Sequence, residues 1–434
     1  MIGGDLMEYF NRYSDDYINT LKSGNGRYKI RLELLSDNEY VVGDITKDVS
    51  LSAQGQITIN YEQITRRSCS LTLIDVDSKY VPHKNSPFWI NRKFKLWLGL
   101  VAQDDIYWWS QGVFYTVSAT AQANTLSIEG VDKGAALDGT LRLNMTDYEY
   151  VIERNDNLAE TVKQILALDV GASQLTTMNG LVYSGSKPVD CIQPIIGVQY
   201  FNKPVYSQII IDANNYIGDI LTKLAELYAA DCYYDTEGHF MFVPYIESVG
   251  YQYVPRLWDF DDLSAFFENP NYNYSYEGEN TVTFYTNSTD TGVANVAWTA
   301  YNTNPLSPLN ISTGIRRASS QEIPYYEYSS DPDSNKEQMI QDCRAAANHY
   351  LLCNSLVGMQ LSFDCPIIPH LDVNKTIGVS DRTVGIEDGV FIIQSITIPL
   401  SAEKMNVSAT NINWLPNDMS FEGEAQVIEP TTIE

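Results

Sequence analysis

The stretch Gly112-Val113-Phe114-Tyr115-Thr116-Val117-Ser118-Ala119-Thr120 returns in altered form as Gly389-Val390-Phe391-Ile392-Ile393-Gln394-Ser395-Ile396-Thr397, nearly three hundred residues further on. Gly, Val, Phe, Ser and Thr hold the same offsets in both copies. The flanks agree as well. Thr125-Leu126-Ser127-Ile128 and Lys404-Met405-Asn406-Val407-Ser408 follow as short alternating strands, and Lys95-Leu96-Trp97-Leu98-Gly99 and Thr376-Ile377-Gly378-Val379 precede. Such self-similarity marks one supersecondary unit used twice. Two copies are too few for a solenoid, so the reading is two related small antiparallel β-barrel domains, with Gly112, Phe114, Gly389 and Phe391 as their shared core signature. Chance likeness between two β-hairpins is the competing account.

The remaining composition sets the class. The chain has 434 residues, 44% of them hydrophobic and 19% charged, enough to build several cores and too apolar for a disordered chain. Aromatic residues make up 12%, with 30 Tyr, which favours strands and broad contact surfaces. The formal net charge of -27 argues against electrostatic capture of nucleic acid or anionic lipid. No signal-peptide pattern opens the sequence and no apolar run reaches the ~18 residues needed to cross a bilayer, so no membrane insertion of its own is expected. The 6 Cys are not spaced as a zinc or redox motif and are expected to be reduced core residues.

Along the chain, Leu6, Phe10, Tyr13, Tyr17 and Leu21 recur every three or four residues, predicting one helical face that ends at Gly24. Its tyrosines, Tyr13 and Tyr17, can dock on their own body or on a neighbour. From Arg27 the period changes to two, and short strands continue to Glu129. Asn157-Leu158-Ala159-Glu160 forms a capping box. A helix over about 215–230 runs into a strand, a Thr236-Glu237-Gly238 turn and a second strand. A further helix is expected from about Ser334, then the second β-unit. The expected order is thus an N-terminal helix (1–25), a first barrel (26–140), an α+β domain (141–255), a linker, helix and second barrel (256–416), and an acidic, weakly patterned and mobile tail (417–434).

No catalytic centre stands out. Asp331-Pro332-Asp333-Ser334-Asn335 imitates a calcium loop, but Lys336 occupies the place of the turn glycine and Asp342 that of the bidentate Glu. The 4 His lie far from one another, and Cys343 and His349, six apart on a helix, face different sides. Neither metal nor cofactor is expected. Trp89, Trp97, Trp108 and Trp109 are candidates for a sugar-stacking surface, and Trp89, Trp108 and Trp109 for a partner contact. Strand alternation, however, sends Trp108 and Trp109 to opposite faces.

Three segments carry a resemblance. They are Leu221-Thr222-Lys223-Leu224-Ala225-Glu226-Leu227 leading to Gly238-His239-Phe240; Ser307-Pro308-Leu309-Asn310-Ile311 before Gly314; and Leu371-Asp372-Val373-Asn374-Lys375-Thr376-Ile377-Gly378-Val379 before the second repeat. Together with the order barrel, α+β domain, barrel, they resemble the hub proteins of phage tail baseplates and related contractile injection machines, over most of 26–415. The resemblance implies a non-enzymatic homotrimer whose two barrels per subunit make six similar units. Its partners would be the hexameric tail tube or distal tail proteins on one side and a spike or tip protein on the other. DNA would be met only in passage through a channel, and the chain would reside in the virion after assembly in the host cytoplasm. The acidic excess would either line such a channel and repel the duplex or serve plain solubility. The alternative is a carbohydrate-binding or carbohydrate-cleaving tail component.

Overall fold

A computed structural model describes residues 14–428 apart from 50–54, 142–149, 171–186, 245–255, 262–266, 288–294, 324–331, 413–420 and shorter gaps of one to three residues. The first described helix, α1 (Asp15–Ser23), starts at Ser14, whose side chain accepts the Tyr17 N–H, and stops at Gly24 in the left-handed region (φ 67°). The predicted helix began earlier, at residues outside the described set.

Seven strands follow: β1 (Arg27–Leu35), β2 (Val41–Asp44), β3 (Gln56–Asn60), β4 (Arg67–Ile74), β5 (Lys93–Ala102), β6 (Asp105–Gln122) and β7 (Thr125–Asp132). The period of two turns Phe94, Leu96, Leu98 and Leu100 of β5 to one face, and all four are buried there. The middle of the chain holds α2 (Leu158–Leu166), capped by Asn157 accepting the Glu160 N–H, and α3 (Ile217–Tyr228). The hairpin β8 (Ala230–Tyr234) and β9 (Phe240–Pro244) comes next. Leu158, Val162, Leu221, Leu224, Phe240 and Phe242 close this α+β piece around its own core.

The second β-unit uses β10 (Arg256–Asp261) and β11 (Glu268–Tyr274). After an inserted layer of β12 (Thr281–Tyr285), β13 (Asn295–Tyr301), β14 (Ala318–Glu322) and helix α4 (Pro332–Ser355), it resumes with β15 (Met359–Pro366), β16 (Thr376–Asp381), β17 (Ile386–Pro399) and β18 (Lys404–Asn411). A final strand, β19 (Glu422–Ile428), pairs with β13 from end to end. Over Glu422–Ile428 that corrects the expectation of a mobile tail; 417–420 and 429–434 lie outside the described residues. An edge strand is hydrogen-bonded on one side only and needs little apolar alternation. Its anchors are local: Phe421 is buried, Tyr301 Oη donates to Glu424 at 2.7 Å, and a Cβ on Gly423 would meet the Trp298 ring nitrogen at 2.5 Å.

The repeat has a physical basis. A Cβ on Gly112 would stand 3.2 Å from the Phe114 ring, and one on Gly389 would stand 2.6 Å from the Phe391 ring. In each unit the ring lies back over the glycine two residues before it on the same strand face. Gly112 also has φ 140°, so it needs glycine's backbone freedom as well. Phe114 sits opposite Phe94 and Asp132, and Phe391 opposite Ile377 and Asn411; both rings are fully buried.

The described strands do not close either of the two expected barrels. They build one 13-stranded sheet in the order β11-β15-β18-β17-β3-β4-β7-β6-β5-β1-β2, with β16 also on β17 and β10 on β16. A single bridge, Val49 to Leu73, reaches from beyond β2 towards β4, short of a ladder that would close the first unit. Nor is the second unit wholly antiparallel, because β10 lies parallel to β16. The reason is the length of β17. Its first half pairs with β16 up to Ile392, and past that point the same edge accepts β3 over Ser395–Pro399. An unpaired edge of a long strand carries free N–H and C=O groups, and β3 of the first unit satisfies them. Ile57 and Ile59 of β3 and Ile396 and Ile398 of β17 are buried at this joint, within one apolar cluster that spans both units.

Once aligned on Phe114 and Phe391, the two units share a strand order. β3-β4-β7-β6-β5-β1 in the first matches β11-β15-β18-β17-β16-β10 in the second. Even the irregularities agree: the β6–β7 ladder shifts between Thr116 and Ser118, and the β17–β18 ladder between Ile393 and Ser395, at the same offset from the phenylalanines.

Candidate functional site

Of the aromatic candidates, Tyr13 lies outside the described residues. Tyr17 is turned into its own protomer: it is buried, its ring lies 5.8 Å from Trp109 and 5.7 Å from His370, and its hydroxyl is 2.8 Å from His370 Nδ1. Tyr107 and Trp258 complete the nest, at 5.5 Å from Tyr17 and 5.8 Å from His370 respectively. The structure therefore brings Tyr17 and Trp109 together and uses both to fix α1. Trp108 points to the opposite strand face, over Gly99, where a Cβ would come within 2.7 Å of its ring. Trp89 is 39% exposed. Among the described residues neither shares a ring contact with the Tyr17 nest, so no continuous aromatic platform is assembled.

His370 links this nest to solution conditions. Burial lowers its pKa to about 4, against a hydrogen bond to the Leu257 carbonyl that acts the other way, and burial alone lowers His349 to about 4. Between pH 4 and about 6.5 the unfolded chain binds these protons and the folded chain does not, so stability rises with pH across that window and is lost as pH falls through it. Each histidine can contribute up to ~3 kcal/mol at its limit. Thermal melts at pH 7 and 4.5 should show a drop in Tm that His370→Gln reduces.

Burial pushes the thiols of Cys232 and Cys343 up to about 12 and that of Cys69 higher still, which leaves them protonated and inert. Among the described residues there is no group of three or more His, Cys, Asp or Glu that could hold a metal ion. His239 faces Asp235 at 3.2 Å across the β8–β9 turn. Burial raises Asp132 to about 6, opposed by the Arg67 charge, yet its carboxylate accepts the backbone N–H groups of Arg67 (2.7 Å) and Gly134 (2.9 Å), a structural use.

What the geometry does concentrate is a buried polar junction between the three parts of the chain. Arg66 pairs with Asp231 of β8 and lies over the rings of Tyr233 (3.8 Å) and Tyr61 (4.8 Å). Its neighbour Arg67 donates to the Tyr234 carbonyl at 2.8 Å and to both oxygens of Asp372, at 2.6 and 2.5 Å. Asn374 reaches Asp231 at 2.9 Å. Lys133 meets Glu39 at 2.8 Å, Asp190 at 2.9 Å and the Gly238 carbonyl at 2.8 Å. First unit, hairpin and second unit are thus locked through charge-assisted bonds that leave little freedom of relative orientation. Nothing in the local sequence announces these partners; Arg66-Arg67 reads as a plain basic pair.

The fold has solved counterparts. A tail protein from Neisseria meningitidis MC58 superposes with a TM-score of 0.53 at 13% identity, over 89% of this chain and 98% of that one. The 43 kDa tail protein of prophage MuSo2 from Shewanella oneidensis does so with a TM-score of 0.51 at 13% identity, over 91% of this chain and 100% of that one. The chain has the fold of phage tail proteins. No protein-family model matches the sequence, and no curated protein matches it.

Within this tail-protein fold several strand edges lie exposed. Val41 and Val42 of β2 stand exposed on the outermost strand, with Tyr40 beside them. At the opposite end β11 is hydrogen-bonded to β15 alone among the described strands. The last residues of β6, Thr120–Gln122, are exposed. Among the described residues no helix is long and apolar enough to cross a membrane.

Proposed function

We propose that this chain is the structural hub of a phage tail baseplate. In this reading it is a homotrimeric ring that joins the hexameric tail tube to a central spike or tip and leaves a channel for DNA. The observation that carries the proposal is the internal duplication: two six-strand units of one order within one chain. Three such chains present six similar units to a sixfold tube while keeping a threefold face for the tip, and a head-to-tail interface whose rotation closes gives a ring of this kind. The tail-protein fold of the Neisseria and Shewanella neighbours supports the reading. So does the buried junction, since a ring that transmits load needs its units held in fixed orientation. The chain performs no catalysis in this role and takes no cofactor.

The net charge of -27 fits a conduit. A cationic wall would bind passing phosphates through counterion release, whereas an acidic wall repels the duplex within about one Debye length, ~8 Å at physiological salt. The host cytoplasm is the site of assembly and the virion tail the final location.

Native mass measurement of the purified chain, with imaging of the assembled particle, tests the proposal. Three copies at the junction of tube and tip are expected, with more than ~2,000 Å² buried at each interface. One or two copies in the particle refutes it, as does cleavage of host polysaccharide by the pure chain.

A further inference from the structure

The charged cluster around Lys133 differs in kind from the Arg66 and Arg67 pairs. A guanidinium keeps its proton, whereas a lysine nitrogen that gives one up becomes a nucleophile. Lys133 directly follows β7, and its side chain and that of Asp190 are each 2% exposed. Its nitrogen lies 2.9 Å from Asp190 Oδ1 and 2.8 Å from Glu39 Oε1, and it donates to the Gly238 carbonyl at 2.8 Å. One nitrogen thus touches two carboxyl groups in a dry site. Amide formation between side chains needs those three groups in contact: a nucleophile, an acyl carbon and a proton carrier.

The walls of the site hold that contact. The Tyr234 ring lies 4.8 Å from the Lys133 nitrogen, and Tyr234 and Val113 are buried. Glu39 sits in the β1–β2 turn between exposed Asn38 and exposed Tyr40, yet its own side chain is 6% exposed. Its φ of 63° lies in the left-handed region, a strained backbone of the kind that gathers at functional positions. From the β8–β9 turn Gly238 closes over the carboxylate, where a Cβ would stand 3.1 Å from Glu39 Oε2.

Charge and hydrogen bonding favour the joined state. Lys93, 2.6 Å from Glu39 Oε1, adds a second ammonium, so two cations face two carboxylates. Holding charges away from water is costly even when they are paired. Joining Lys133 to Asp190 removes one charge of each sign and leaves Lys93 and Glu39 matched. No polar group is stranded by it. The amide N–H keeps the Gly238 carbonyl as its acceptor, and the amide oxygen keeps the Ile192 N–H, which donates to Asp190 Oδ1 at 3.0 Å.

We propose that Lys133 and Asp190 condense into an isopeptide bond, a covalent staple between the first β-unit and the α+β piece. Glu39 carries one proton from the Lys133 ammonium to a carboxyl oxygen of Asp190, and the freed Nζ lone pair attacks Cγ. A second proton follows from Nζ to the same oxygen, which leaves as water. One C–N bond forms, one C–O bond breaks, Glu39 ends as it began, and nothing is oxidised or reduced. The staple spans 57 positions of chain and holds the two parts together by a bond that neither salt nor pH weakens. It is independent of copy number and of the proposed hub role.

Intact mass spectrometry of the folded full-length chain tests this without a variant. The mass is expected to fall one water below that of the polypeptide, and a tryptic digest should contain a branched peptide joining Lys133 to Asp190. Lys133→Arg and Asp190→Ala are expected at full mass. Glu39→Gln keeps the size of the side chain and should fold with the parent's near-ultraviolet circular dichroism, yet stay at full mass. On a denaturing gel the parent should run ahead of Asp190→Ala, because a closed loop keeps the unfolded chain compact. A folded parent at full mass overturns the proposal. So does a missing water that maps elsewhere while trypsin still cleaves after Lys133. A Glu39→Gln chain that condenses as fast as the parent overturns the role given to Glu39.

Discussion

Phe391→Ala is expected to destabilise the protein by ~3–5 kcal/mol, and Phe114→Ala by a similar amount. Both rings are fully buried. Phe114 stacks on Phe94 at 5.6 Å between centroids, and Phe391 meets the edge of Tyr272 at 6.1 Å. Removing either ring deletes the cover over the adjacent glycine and opens a cavity in the apolar cluster common to both β-units. Chemical denaturation followed by tryptophan fluorescence measures the loss. Because the cluster is shared, each substitution should lower the midpoint of the whole β-body and not of one half. Two separate transitions, only one of them shifted, would show that the units unfold independently. A loss below ~1 kcal/mol at either site would mean that the ring is not part of the core.

Asp231→Ala carries the second large effect. It strands Arg66, whose side chain is 3% exposed, beside Tyr61 and Tyr233 with its carboxylate partner gone. Breaking a buried pair from one side costs ~3–5 kcal/mol, chiefly because the remaining charge is uncompensated. The same change removes one acceptor of the Asn374 side chain, so the α+β piece should loosen from both β-units at once. Limited proteolysis should then cut in the middle third of the chain faster than in the parent. The double variant Arg66→Met/Asp231→Leu should recover most of the stability, since apolar residues of similar volume commonly replace a buried pair at little cost. If the single variant melts with the parent, the junction does not hold the parts together. Recovery of stability without recovery of trimer would separate two roles, cohesion of the chain and orientation of its units.

Much of this architecture follows from short-range chemistry and was therefore readable in the sequence. The Gly-x-Phe signature repeats because the ring needs the space above a glycine two residues away, a requirement met within one strand. Asn157 and Glu160 announce the start of α2 because the cap is a bond across three residues. The β8–β9 turn is set by Asp235, whose carboxylate accepts the N–H groups of Glu237 and His239. The same locality explains the failures. Which strand fills the free edge of β17 is settled by backbone groups that are alike at every residue, so the sequence suggested two separate barrels where the fold continues one sheet through Ile57 and Ile396. Tyr17 reads only as part of a helical face able to dock on its own body or on a neighbour until His370, 353 positions away, is folded beside it. Arg67 gains its meaning from Asp372, 305 positions on, and β19 from an edge of β13 that no local pattern foretells. Helices, hairpins and the duplication were determined by neighbours along the chain. The joint between the units, the charged lock beneath it and the edges left open were decided only when tertiary folding brought distant backbone and charge together.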